Sequence, residues 1–283
     1  MTQPFLAAAV QLNATSDHDR NWRQAEELIA RAASYGARFV ATPEASNFLG
    51  PHDEKVRRAE TLDGPVCSQY AELAARLGIL LLLGSFNERL EDEHGGEGDT
   101  PRRCYNTSVL FAPDGTRLAT YRKLHLFDVD VSRQLRFSES ATTAAGAEPV
   151  VVETPLGTLG LTICYDLRFP ELYRELTDRG AEILMVPSAF TETTGRAHWT
   201  ALLRARAIEC QCWLIAPGQH GDHDDDGLRH SYGHSSIVDP WGQVVACAAD
   251  GPGLALAEVD LGRISEVRRR MPVASHRRLP LPG

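Results

Sequence analysis

The chain has 283 residues, 43% hydrophobic and 24% charged, an ordinary globular composition with enough length to bury a large core. Its 29 basic and 38 acidic residues leave a net charge of −9, which argues against nucleic acid or an anionic membrane surface as the main partner. No window reaches the roughly 18 uninterrupted apolar residues of a membrane-crossing helix, and the first apolar run lacks the preceding basic region of a signal sequence.

In chain order, residues 5–10 read as a buried strand. Over 21–34, Trp22, Ala25, Leu28, Ile29, Ala32 and Ala33 fall on one helical face. Residues 37–42 form a second apolar strand, ending at Pro43-Glu44. Val66, Tyr70, Leu73, Ala74 and Leu77 mark another helix, closed by Gly78, and 79–83 is an apolar strand of the kind covered on both faces. The acidic, glycine-rich segment 91–100 reads as a solvent loop. Strands then follow one another across tight turns. Residues 105–111 and 118–121 flank Pro113-Asp114-Gly115, and 150–153 and 159–164 flank Pro155-Leu156-Gly157. A helix runs from Pro170 to a stop at Gly180, followed by a strand at 182–187, a helix at 198–211 and a strand at 213–216. A hairpin about Pro240-Trp241-Gly242 joins 235–239 to 244–248, and 254–259 is the last strand. No linker, repeat or low-complexity break intervenes. One α/β domain over 1–283 is expected, with two sheets both faced by helices.

Six cysteines, at 67, 104, 164, 210, 212 and 247, show neither Cys-x-x-Cys nor disulfide-framework spacing, so free thiols in a reducing, cytoplasmic compartment are expected. Cys164 ends an apolar strand ahead of the helix at Pro170. Open α/β sheets place their sites at such strand ends, where a helix N-terminus favours a thiolate and a developing oxyanion. The alternative is a small buried hydrophobe, the reading taken for the other five. Glu44, at another strand end, is either a general base or a surface or capping carboxylate. Lys123 ends the strand after the Pro-Asp-Gly turn; it either faces the cysteine and favours its thiolate or is a solvated charge. The loop from His220 to His230 offers three histidines for zinc, and Asp222, Asp224, Asp226 and Gly227 begin like a calcium loop. Gly233 then stands where that loop needs a glutamate, and a polar turn is the simpler reading. Arg268-Arg269-Arg270 and Arg277-Arg278 read as solvated or as lying at a subunit interface.

Taken together, Pro43-Glu44, Tyr121-Arg122-Lys123-Leu124-His125 and Ile163-Cys164-Tyr165-Asp166-Leu167-Arg168-Phe169-Pro170-Glu171 resemble the three catalytic motifs of the nitrilase (carbon–nitrogen hydrolase) superfamily in content, order and separation. The resemblance runs essentially from Phe5 to the C-terminus. It implies a four-layer α-β-β-α sandwich that pairs into homodimers or larger assemblies. It also implies Cys164 as nucleophile, Glu44 as general base and Lys123 as stabiliser of the tetrahedral intermediate. Phe137-Ser138-Glu139-Ser140 resembles the segment carrying a second, substrate-orienting glutamate, which adds Glu139. The implied reaction is acyl transfer to a thioester that water then hydrolyses, with Lys123 and the Tyr165 backbone N–H holding the oxyanion. It needs no metal and no organic cofactor.

Further stretches, among them Thr193-Thr194-Gly195, His198-Trp199, Ser231-Tyr232-Gly233-His234-Ser235 and Asp239-Pro240-Trp241-Gly242, are similar to the Nit branch, whose members are fused to or partnered with Fhit proteins in some animals. Cys164–Leu172 and Arg204–Cys212 are nearer to the group acting on deaminated glutathione than to the ω-amidases. The implied partner is therefore a small-molecule amide of a 2-oxo acid. Arg168, Phe190 and Thr194 occupy the positions that contact it, beside Tyr165, and a guanidinium is the natural partner of its carboxylate. Read without the resemblance, Arg168 is a surface residue. Arg196 stands where the family often has proline, which is expected to reshape the mouth of the pocket. Two readings of other classes compete: a metallohydrolase using the loop at 220–230, and a non-catalytic scaffold, which would have no need of Glu44, Lys123 and Cys164 together.

Overall fold

A computed structural model describes residues 3–90, 103–132, 135–223 and 229–279. The first half alternates strands and helices: β1 (Phe5–Gln11), α1 (His18–Ser34), β2 (Ala37–Ala41), α2 (His52–Arg57), α3 (Pro65–Leu77) and β3 (Leu80–Arg89). Strands then follow as β4 (Cys104–Phe111), β5 (Arg117–Arg122), β6 (Asp128–Ser132), β7 (Leu135–Ser138) and β8 (Thr143–Ala144). The second half runs β9 (Val150–Thr154), β10 (Gly157–Leu161), α4 (Pro170–Asp178), β11 (Ile183–Met185), α5 (Glu192–Cys210) and β12 (Trp213–Ala216). It closes with β13 (His220–Asp222), β14 (His230–Tyr232), β15 (Ser236–Val238), β16 (Val244–Cys247), β17 (Gly253–Val259) and α6 (Gly262–Arg270).

Local chemistry sets the helix ends. The Asp17 carboxylate accepts from the Arg20 N–H at the start of α1, and Pro65 opens α3, which ends on Gly78 in the left-handed conformation. One sheet orders its strands β17-β1-β2-β3-β4-β5, with β8 on the side of β4; the other runs β16-β15-β12-β11-β10-β9. The pairs β1–β2, β2–β3, β10–β11 and β11–β12 are parallel, and antiparallel strands flank them.

Strand alternation builds the layers. Ala8, Val10, Val40, Leu81 and Leu83 turn outward to meet Leu28, Ile29, Tyr70 and Leu73 of α1 and α3. Ala7, Ala9, Phe39, Ala41 and Leu82 turn inward to a core shared with Leu159, Leu161, Ile183 and Ile215 of the second sheet. That core continues to Tyr173, Leu176, Trp199 and Leu203 of α4 and α5. The result is the expected four-layer α-β-β-α sandwich.

Several elements depart from the sequence reading. The helix expected from 198 begins at Glu192, because Gly195 lets its first turns lie flush on β14; a Cβ there would sit 2.4 Å from the Tyr232 ring. The helices α2 and α6 and the hairpins β6–β7 and β13–β14 were not foreseen. The polar turn expected at 220–230 is thus a hairpin at its two ends, while residues 224–228, like the expected loop at 91–100, lie outside the described residues.

Candidate active site

Glu44 is carried past the end of β2 by an unusual crossing. A Cβ on Gly84 would sit 1.9 Å from the Thr42 carbonyl oxygen and 2.4 Å from that of Pro43, so the chain leaves β2 in direct contact with the β3 backbone. The Ala45 N–H donates to Ser85 Oγ at 2.8 Å, and Gln219 Nε2 reaches across to donate to the Glu44 carbonyl at 2.9 Å. Ala45 itself has φ 56°, in the left-handed region. Cys164 has φ 48° and opens a short 3₁₀ turn, Cys164–Arg168, after Ile163 in extended conformation. Each such residue stores roughly 1–3 kcal/mol of backbone strain. The positions of Glu44 and Cys164 are therefore held by their surroundings.

Asp166 ties the turn of Cys164 to the segment of Lys123. It is fully buried. One of its oxygens accepts from the Ile163 N–H (2.8 Å) and the Tyr121 hydroxyl (2.7 Å). The other accepts from the His125 N–H (3.0 Å) and meets His125 Nδ1 at 2.7 Å. The carboxylate thus fixes residues on both sides of the inter-sheet junction.

The ionisable groups meet at Lys123, only 2% exposed. Its Nζ lies 3.0 Å from Glu44 Oε1 and 2.9 and 3.1 Å from the two Glu139 oxygens. Asn106 Nδ2 donates to the same two carboxylates, at 2.8 Å to Glu44 and 3.3 Å to Glu139. The Ala189 N–H takes the second Glu44 oxygen (2.8 Å), and the Phe127 N–H donates to Glu139 (2.7 Å). Burial opposes a charged Lys123, but Glu139 and Glu44 outweigh it and push the ammonium well above its ordinary value. Burial likewise opposes an ionised Glu139, and Lys123 with Lys55 nevertheless holds its carboxyl low.

Cys164, 9% exposed, faces this cluster. Burial, and next the charge of Glu44, push its thiol well above the ordinary value despite Lys123. Lys123 favours the thiolate as expected, but burial and Glu44 outweigh it. Lys123 is shared between two carboxylates, and the 3₁₀ turn separates Cys164 from the start of α4. The Cys164 and Asp166 N–H groups are taken by the Pro187 and Ile163 carbonyls, whereas among the described residues none accepts from the Tyr165 N–H.

These residues line one cavity of about 400 Å³, the size of a small-ligand site. Tyr165, Arg168, Phe190 and Thr194 line it too. Arg168 is half-buried, its guanidinium 5.3 Å from the Phe190 ring centre and 5.8 Å from that of Tyr165. Arg196, by contrast, is exposed on α5 and pairs with Glu192, so it does not shape the wall. Asn106, Phe127 and Lys55 line the cavity without having been singled out. Asn106 carried no separate signal, since it opens the polar run Asn106-Thr107-Ser108 within β4.

Elsewhere the geometry is less suggestive. Among the described residues no group of three His, Cys, Asp or Glu side chains is arranged to hold a metal, and Asp224 and Asp226 fall outside them. The buried His223 sets Nδ1 against the Ala14 carbonyl and Nε2 against Ser231 Oγ. Four of the other five cysteines are buried as expected, but Cys247 is exposed on β16. Two of the terminal arginines form ion pairs within the chain, Arg270 with Glu266 and Arg277 with Asp178.

An α-β-β-α sandwich that gathers a cysteine, a lysine and two glutamates into one cavity is the architecture of enzymes that cleave non-peptide carbon–nitrogen bonds. Residues 6–269 match the carbon-nitrogen hydrolase family, and the chain belongs to it. It is 44% identical over 277 residues to a deaminated glutathione amidase of Synechocystis, covering 97% of this chain and 98% of that one. The human protein of the same name is 44% identical over 280 residues, 98% of this chain and 84% of its own. The crystal structure of the Caenorhabditis elegans NitFhit protein superposes with a TM-score of 0.88 at 40% identity, covering 98% of this chain and 66% of that longer one. The chain is thus a Nit-branch hydrolase of the nitrilase superfamily.

Proposed function

We propose that the enzyme hydrolyses the amide of deaminated glutathione, releasing 2-oxoglutarate and cysteinylglycine. Glu44 accepts the thiol proton as Cys164 attacks the amide carbon, so no standing thiolate is needed. Lys123 and the Tyr165 N–H stabilise the oxyanion of the tetrahedral intermediate. The intermediate collapses as Glu44 returns its proton to the leaving nitrogen, and the carbon–nitrogen bond breaks to give a thioester. Water, deprotonated by Glu44, then attacks the thioester; the product acid leaves and the thiol regains its proton. Glu139 orients the amide through Lys123, and Arg168 pairs with the 2-oxo acid carboxylate beside Phe190 and Thr194.

The observation that carries this reading is the single ammonium shared by Glu44 and Glu139 on the wall that Cys164 faces. The substrate rests on the relatives named deaminated glutathione amidase at 44% identity over nearly the whole chain. The test is a panel of deaminated glutathione, 2-oxoglutaramate, 2-oxosuccinamate, a carbamoyl-β-amino acid and a simple nitrile. Deaminated glutathione is expected to give the highest kcat/KM, and preference for 2-oxoglutaramate would make the enzyme an ω-amidase instead.

The proposal extends to assembly and compartment. Trp241 and Ile208 are 52% and 44% exposed, and Ile208 lies against Gly242, the residue after Trp241, which offers apolar surface suited to a homodimer or larger assembly. Light scattering on the purified protein checks this, and a monomer mass would contradict it. Six free cysteines fit a reducing cytoplasm. Among the described residues no helix is long and apolar enough to cross a membrane.

A further inference from the structure

The cavity holds more cationic groups than the chemistry at Cys164 uses. Lys123 is engaged by Glu44 and Glu139, and Arg168 stands over Tyr165 and Phe190. Lys55, on α2, also lines the cavity. Its Nζ donates to the hydroxyl of Thr143 at 2.6 Å, and Thr143 is itself buried in β8 against β4. Among the described residues Lys55 makes no ion pair. The carboxylate that acts on it is Glu139, which already accepts from Lys123 and the Phe127 N–H. An ammonium has three donors, and here one hydroxyl serves them. Burial pushes this ammonium below its ordinary value, so the site is short of negative charge.

Its position relative to Arg168 is set by a run of aromatic contacts. Arg168 lies over Tyr165, whose ring centre is 5.0 Å from that of Phe127. Phe127 is 5.7 Å from Phe137, and Phe137 is 5.0 Å from His52, one turn before Lys55 on α2. Arg229 sits over the same Phe137 ring at 5.5 Å and donates to the Gly50 carbonyl. Arg168, beside Cys164, and Lys55 therefore stand at the two ends of this aromatic run, each at the cavity wall.

We propose that Lys55 is the anchor of a second anion subsite, which binds a carboxylate on the leaving-group side of the scissile amide. This rests on the amidase reading above and deepens it. With Arg168 taking the acid of the acyl half, Lys55 takes the acid of the amine half, so the enzyme selects amides charged at both ends. Deaminated glutathione has that form through its C-terminal glycine. The simpler acid amides, whose leaving group is ammonia, do not. Thr143 is the positioning residue, holding the ammonium toward the cavity while leaving two of its donors for the ligand.

The test is the ratio of kcat/KM for deaminated glutathione over that for its C-terminal carboxamide, which differs only in the distal charge. Wild type is expected to favour the free acid by roughly tenfold or more, the size of one charged hydrogen bond. In Lys55→Met the ratio is expected to fall to about one, mostly through KM. Because both substrates pass through the same chemistry, the ratio is insensitive to a general loss of activity. Lys55→Arg, which keeps the cation, is expected to restore the preference, and this arm serves if Lys55→Met does not fold. An unchanged ratio in Lys55→Met, or a wild-type ratio near one with both substrates turned over, overturns the subsite and leaves the amidase reading intact. Failure of wild type to turn over either substrate overturns both.

Discussion

One buried ammonium between two carboxylates leaves the thiol facing a net negative surround, which adds to burial in deciding how Cys164 behaves. Its thiol is held well above its ordinary value, chiefly by burial and then by Glu44. The neutral form is therefore the resting one throughout the neutral range, and attack requires a base. Alkylation of Cys164 by iodoacetamide, followed on its peptide by mass spectrometry from pH 6 to 10, should show no inflection in the neutral range or at the ordinary thiol value. A thiolate titrating near 7 would contradict the burial and charge balance described. Asp166 is as consequential without touching substrate. Each of its oxygens faces a backbone N–H, from Ile163 and from His125, so an amide in either orientation sets a donor against a donor. Asp166→Asn should cost about 2–4 kcal/mol in chemical denaturation and lower kcat more than it raises KM. A variant of wild-type stability and kcat would remove Asp166 as the link between the two catalytic segments. Neither effect was legible in the sequence: Asp166 is visible in its motif, but its four contacts join that motif to the separate stretch carrying Tyr121 and His125.

At the scale of elements, legibility followed turn chemistry and apolar periodicity. The Pro-Asp-Gly turn and the Leu28/Ile29/Ala32 stripe announce a hairpin and a helix, and both are present. Elements supported mainly by tertiary contact were invisible. The last helix, α6, is strongly basic and buries only Ile264 and Val267, too little for a readable stripe. The start of α5, Glu-Thr-Thr-Gly, has weak helix propensity and depends on the fit of Gly195 against Tyr232. The crossing at Gly84 was equally unreadable, because a glycine in an apolar strand does not reveal which backbone approaches it. Gly84→Ala should displace Pro43 and Glu44, lowering kcat at least tenfold while costing about 1–3 kcal/mol of stability. Steady-state kinetics with denaturation curves checks this, and an alanine variant with normal kcat would show that Glu44 does not depend on the crossing.

Over the whole molecule, the candidate site belongs to neither sheet alone. Glu44 and Lys123 follow strands of the first sheet, while Cys164 and Ala189 follow strands of the second, and Asp166 and Gln219 lace the halves together. The shared core, running from Ala7 and Phe39 to Leu161 and Ile215, sets the distance between the cysteine and its base. That dependence is why strand ends could be marked from sequence while their convergence could not. It also means that any account of the reaction stands on one atom, the Cys164 sulfur. The most direct test is the turnover of deaminated glutathione by Cys164→Ala, with circular dichroism confirming the fold. We predict a folded protein whose release of 2-oxoglutarate is at background, and amide turnover retained by that variant would contradict the mechanism.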